Sequence, residues 1–136
     1  MSVETIVAPE LATPNGHFAH ASSIEVPGTS RLVFISGMTA RNAEGGITGV
    51  GDVAAQTHQV CQNLQAAVEA AGGTLADIAR VDVYVRNMED FDAIHEVRRQ
   101  YFTEHPPAST MVEVSKFVKK DYLIEINAIA AIGSTA

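Results

Sequence analysis

Glu125 is the side chain whose setting first suggests chemistry, because in YLIEINAIAAI (Tyr122 to Ile132) it stands between apolar neighbours. Side chains alternate along a strand, so Tyr122, Ile124, Ile126, Ala128 and Ala130 share one face, and Leu123, Glu125, Asn127 and Ile129 the other. A carboxylate in such a run loses solvation unless it lies at an edge, is paired, or lines a cavity. Burial penalises its charged form, which is the direction a general base requires. Pattern alone leaves a structural salt bridge or an exposed position open beside a functional role. Five histidines, His17, His20, His58, His95 and His105, raise a metal site or a general base. There is no HExxH-type helix and no cysteine cluster, and His58 and His95 read as helix-surface positions, so no metal is expected. GGITGVG (Gly45 to Gly51) lacks the ending of a phosphate-binding loop and the glycine spacing of a dinucleotide site, and reads as a turn-rich loop.

The elements that must position these residues follow from hydrophobic period. From Val53 to Ala71, Val53, Thr57, Val60, Cys61, Leu64, Val68 and Ala71 recur at three- and four-residue steps, which predicts an amphipathic helix. Asp52 is its expected N-cap and Gly72-Gly73 its end. Cys61 falls on the apolar stripe and is expected in the core rather than as a nucleophile. A second helix is expected from near Asp90, with Phe91, Ile94, Val97 and Tyr101 on one face, stopped before Pro106 and Pro107. Arg31 to Ser36, Ala79 to Val85, Ser109 to Ser115 and Tyr122 to Ile132 are rich in β-branched or aromatic residues and read as strands. Weaker strand candidates lie at Thr5 to Ala8 and Ala19 to Val26. The order predicts one α+β domain over 1–136, a sheet covered by two helices. Two helices cover one face only, yet RLVFIS and NAIAAI are apolar on both, so a closed homo-oligomer is expected to bury the other.

Composition limits the partners. The chain has 136 residues, 46% hydrophobic and 18% charged, enough for one domain with a core. No run approaches the roughly 20 apolar residues that cross a bilayer, and MSVETIVAPE lacks the layout of a signal peptide, so no membrane partner and a cytoplasmic location are expected. The lone cysteine fits a reducing compartment. A formal net charge of −7 argues against nucleic acid, whose affinity comes mainly from Lys and Arg. Arg98, Arg99, Lys116, Lys119 and Lys120 are candidates for a local basic patch and are read as ordinary solvated positions.

SGMTA (Ser36 to Ala40), AAQTHQVCQNLQAAVEAAG in the first helix, RNMEDF (Arg86 to Phe91) and IEINAIA (Ile124 to Ala130) together resemble the RidA/YjgF family of imine and enamine deaminases. The resemblance runs from about Gly16 to Ala130. It implies the chorismate-mutase-like fold, a mixed β-sheet with two helices on one face and the other face buried in a homotrimer with inter-subunit clefts. It implies hydrolysis of an imine or its enamine tautomer, water adding to the C=N carbon and ammonia leaving, with no cofactor. Glu125 corresponds to the family's water-activating carboxylate. Ser36 and Gly37 correspond to a segment lining the cleft, and Phe18 to a cleft tyrosine whose hydroxyl is lost. Thr39, in the SGMTA segment, and Thr110, beside position 109, are expected substrate contacts. So is His20, which with His17 flanks Phe18.

In the imine-deaminase branch the loop before the penultimate strand reads proline, alanine, arginine, serine, and the arginine clamps the substrate carboxylate. Here Pro107 and Ala108 match, and Ser109 stands in the arginine's place. A hydroxyl cannot replace a guanidinium fork, and losing such a contact costs about 1.5–3 kcal/mol of binding. The following loop is one residue longer than the family's, and KFVKKDY replaces its leucine-proline turn. This loop and TARN around Arg41 resemble the 2-aminomuconate deaminase branch. Three readings result. The first is a divergent deaminase or hydrolase with Glu125 as base and Arg41 or Arg86 orienting the substrate. The second is a non-catalytic small-metabolite-binding homotrimer, and the third an interaction or chaperone-like module.

Overall fold

Alternation along the strands and a 3.6-residue period in the helices build a chain of eight main elements, given by a computed structural model that describes residues 3–7, 9, 13, 17, 19–28 and 30–133. In order they are β1 (Val3–Ile6), β2 (Ala21–Ile24), β3 (Arg31–Met38), α1 (Val53–Ala70), β4 (Ile78–Val85), α2 (Phe91–Tyr101), β5 (Ala108–Glu113) and β6 (Ile124–Ile132). Short 3-10 turns at Leu75–Asp77 and Met88–Asp90 lead into β4's start and α2. The main sheet has the order β3-β6-β4-β5, with β4 and β5 parallel and the other pairs antiparallel. The two weaker strand candidates pair with each other as a separate antiparallel sheet β1-β2, and Ala19, just before β2, forms an isolated parallel bridge to Ala108.

The expected helices and principal strands are all present, with shifted ends. β5 stops at Glu113 and β6 begins at Ile124, so Ser115 and Tyr122 lie in the loop between them. Asp52 caps α1 by accepting from the Ala55 N–H at 3.0 Å, and Gly72 follows with φ of 95°, a left-handed turn that suits glycine. The helix buries Gln56, Thr57, Val60, Cys61, Leu64 and Val68, one continuous stripe. That stripe packs with Ile94 of α2 against Val81, Val83 and Val85 of β4 and Ile124, Ile126, Ala128 and Ala130 of β6. His58 and Tyr101 join the helices through a 3.0 Å hydrogen bond.

Among the described residues no helix covers the opposite face of the main sheet. The register puts Leu32 and Phe34 of β3 beside Ile129 and Ala131 of β6 there. Leu32 is 49%, Phe34 72% and Val112 43% exposed, so within one protomer this apolar patch meets water. No helix is long and apolar enough to cross a membrane among the described residues.

Candidate active site

The strand that carries Glu125 sorts its side chains as the alternation requires. Ile124, Ile126, Ala128 and Ala130 are sealed beneath the helices, whereas Glu125, Asn127 and Ile129 are half-buried on the open face. Glu125 is opposite Tyr84, and Asn127 opposite Asp82. On β3 the pairing jumps from Ile35↔Ala128 to Met38↔Ile126, so Ser36 and Gly37 together oppose Asn127. This β-bulge supplies the extra residue that re-aims the strand. It brings the Gly37 backbone under the Glu125 side chain, where a Cβ would overlap the carboxylate and lie 2.8 Å from its Cδ. The absence of a side chain here leaves room for the carboxylate and serves no special backbone angle, since Gly37 is not among the glycines of positive φ.

A cleft of about 450 Å³ opens over this point. Its floor is Gly37, Tyr84, Glu125 and Asn127, and its wall comes from Val114, Lys116, Phe117 and Val118 of the β5–β6 loop. Among the described residues the Glu125 carboxylate has no hydrogen bond or ion pair. Asn127, in contrast, donates from Nδ2 to Asp82 Oδ2 at 3.2 Å. Asp82 Oδ1 accepts from Arg80 Nη2 at 2.8 Å, and the same nitrogen donates to Thr110 Oγ1 at 2.8 Å. These bonds satisfy Asp82 and leave Glu125 as the cleft's unpaired carboxylate among the described residues.

The other expected site residues disperse. Thr39 and Arg41 are held by the Asn63 side chain, whose Nδ2 donates to both carbonyls at 2.9 and 2.8 Å. With Gly37 and Met38 they line a neighbouring pocket, not the Glu125 cleft. Arg86 donates its backbone N–H to Leu123 O at 3.1 Å, and its Nε is buried without a partner among the described residues. His20 adjoins Ala19, which bridges Ala108 at the start of β5. Phe18 lies outside the described residues. Ser109 pairs with Val81 and therefore faces the helices, the side of the sheet opposite Glu125.

Two readings from the sequence need correction there. Arg98 is not solvated: it is fully buried, and its Nη2 donates to Ser109 Oγ at 3.0 Å while Nε and Nη1 have no partner among the described residues. His95 is not on the helix surface either, being 3% exposed, with its ring 3.9 Å from that of Phe91. Its Nδ1 donates to Phe91 O at 2.9 Å, and His17 Nε2 donates to Phe102 O at 3.0 Å. Burial first, and the Arg98 charge in addition, hold both imidazoles below their ordinary range despite those bonds. Burial lowers Arg98 itself to about 10 and pushes the Cys61 thiol up to about 12. Cys61 is a core thiol, as its stripe implied. No group of three His, Cys, Asp or Glu side chains converges to hold a metal among the described residues.

Tyr84, Asn127 and Lys116 were not singled out for the site in the sequence. The first two follow from period two once the register of β4 on β6 is known. Lys116 comes from the loop whose departure from the family pattern was already evident.

A mixed sheet with two helices on one face, and on the other a small cleft holding a carboxylate unpaired among the described residues, defines a chorismate-mutase-like domain. The chain belongs to the RidA/YjgF family: residues 10–132 match the family model described as Endoribonuclease L-PSP. A RutC family protein of Pyrococcus abyssi is 35% identical over 130 residues, covering 96% of this chain and 98% of that one. The 3-aminoacrylate deaminase RutC of Acinetobacter baylyi is 36% identical over 107 residues, 77% of this chain and 84% of the relative. A crystal structure of a Rid family protein of unknown function from Yersinia pestis superposes with a TM-score of 0.86 at 33% identity, covering 97% of this chain and all of the other.

Proposed function

We propose that the protein hydrolyses a small enamine or imine and releases ammonia, with Glu125 activating the water. The observation that carries this reading is the Glu125 carboxylate, unpaired among the described residues and set over Gly37 in an open cleft. A water bound to one carboxylate oxygen loses its proton to Glu125 as its oxygen attacks the C=N carbon. That proton passes on to nitrogen to give the carbinolamine; Glu125 then takes the hydroxyl proton and delivers it to nitrogen as the tetrahedral carbon collapses to C=O, and ammonia departs. An enamine enters the same route after protonation at its β-carbon. The name of the Acinetobacter baylyi relative, a deaminase of an aminoacrylate, supports this class of substrate. The net charge of −7 favours it over the ribonuclease activity in the family description, because an acidic surface repels phosphate backbones.

The exposed Leu32, Phe34 and Val112 support a homo-oligomer, and the family resemblance points to a trimer in which each cleft is completed by a neighbour. Light scattering on the purified chain tests the assembly, and Phe34→Glu is expected to dissociate it. One observation favours a second reading, metabolite binding without turnover: position 109 carries no guanidinium, and its serine is turned to Arg98 on the helix side.

The test is ammonia release from freshly generated 2-iminopropionate, 2-aminomuconate and a carboxylate-free enamine, for the native protein and Glu125→Ala. Release above the uncatalysed rate that vanishes in the variant is the expected result. Decay of every substrate at the blank rate with both proteins refutes the deaminase reading and leaves the binding one.

A further inference from the structure

We infer that Lys116 is the anion-binding residue of the Glu125 cleft, so that the ligand carries a carboxylate at the end away from Glu125. The inference rests on reading that cleft as the ligand site. The β5–β6 loop is tied at both ends. Val114 N–H donates to Val85 O at 2.8 Å. At the far end the buried Gln56 side chain accepts from Leu123 N–H at 2.8 Å and donates to Asp121 O at 2.8 Å. A loop anchored this way presents its central residues in a reproducible place, and those residues, Lys116 to Val118, wall the cleft.

Among the described lining residues Lys116 is the only cation and Glu125 the only anion. They line one space without forming an ion pair, the pairs present among the described residues being Arg80–Asp82 and Arg99–Glu96. Two opposite charges that line one cavity without pairing fit a small molecule carrying both an anion and a nitrogen centre. Neither arginine favoured from the sequence competes for this place, since Arg41 lines the neighbouring pocket and Arg86 lines neither. An ammonium is a point charge on a flexible stem, whereas a guanidinium is a rigid fork. Lys116 therefore anchors a carboxylate without dictating its plane, and the site accepts acids of differing length. Phe117 and Val118 beside it supply apolar wall for the carbon chain.

The test uses equilibrium binding, which needs no turnover. Pyruvate and uncharged pyruvamide are titrated into the full-length protein, Lys116→Met and Lys116→Arg, by NMR or calorimetry. For an exposed lysine closing on a carboxylate the expected loss of pyruvate affinity in Lys116→Met is about 3- to 10-fold. Lys116→Arg restores most of it, and pyruvamide binding is unchanged throughout. Equal pyruvate binding by the native protein and Lys116→Met overturns the inference, as does an equal loss for pyruvamide or no pyruvate binding by the native protein. Lys116-dependent binding with no ammonia release refutes the catalytic reading alone. Glu125-dependent release with pyruvate binding unaffected by Lys116→Met refutes the lysine's role alone.

Discussion

Replacing Gly37 with alanine separates the site from the fold more cleanly than removing Glu125 does. Gly37 does not use the left-handed region, so its backbone accepts an L side chain, and the three atoms nearest the added methyl all belong to the Glu125 side chain. Non-bonded carbons settle at about 3.5–4.0 Å. The new Cβ would start 2.8 Å from Glu125 Cδ, so the carboxyl carbon must retreat by about 0.7 Å or more. A rotamer change of that size costs about 0.5–1.5 kcal/mol, and alanine recovers about 0.4–1 kcal/mol by restricting the unfolded chain. Stability is therefore expected within about 1 kcal/mol of the native protein, read from urea unfolding. Catalysis responds far more, because displacing a reacting group by about 1 Å can cost about 100-fold. Ammonia release is expected to fall about 10- to 100-fold in Gly37→Ala. In a Glu125→Ala background the same change meets no carboxylate, so it neither lowers the residual rate nor destabilises. Full activity in Gly37→Ala refutes the reasoning, and so does a stability loss above about 2 kcal/mol that persists when Glu125 is absent.

Gln56→Leu strands Asp121 C=O and Leu123 N–H together with the Gly49 C=O that Gln56 also meets, and is expected to cost about 2–4 kcal/mol by urea unfolding. Loosening of the β5–β6 loop follows and is read by amide exchange at residues 119–123. His17 and His95 titrate below their unfolded value of 6.5, so the unfolded chain binds more protons as pH falls through that value. Their contribution is complete above pH 6.5 and is lost on acidification through the folded values, which urea midpoints between pH 7.5 and 5 detect; a midpoint that rises on acidification contradicts the burial of both rings. Cys61, with its thiol pushed up to about 12 and fully buried, is expected to resist a disulfide reagent at pH 8 until urea unfolds the protein, and rapid native labelling would place it outside the core.

What period and punctuation carry was legible without coordinates. Alternation in YLIEINAIAAI put Glu125 on the face away from Ile124 and Ile126, and the stripe from Val53 to Val68 put Cys61 in the core. Asp52 before that stripe marked its cap, because a side chain that satisfies an orphan N–H acts within three residues. The site required more than local order. That Ser109 faces Arg98 while Thr110 shares the Glu125 face depends on β5 pairing in register with β4, a contact between residues far apart in sequence. Arg98 and His95 read as surface positions because polar residues usually face water on a helix. α2 packs against α1 and the sheet, and tertiary burial overrode that preference. Lys116 reaches the cleft because Gln56, some sixty residues earlier, ties down the far end of its loop. Sequence by itself determined which face each strand residue takes. Only the tertiary structure decided which faces meet, because register and loop anchoring are set by partners that no local pattern contains.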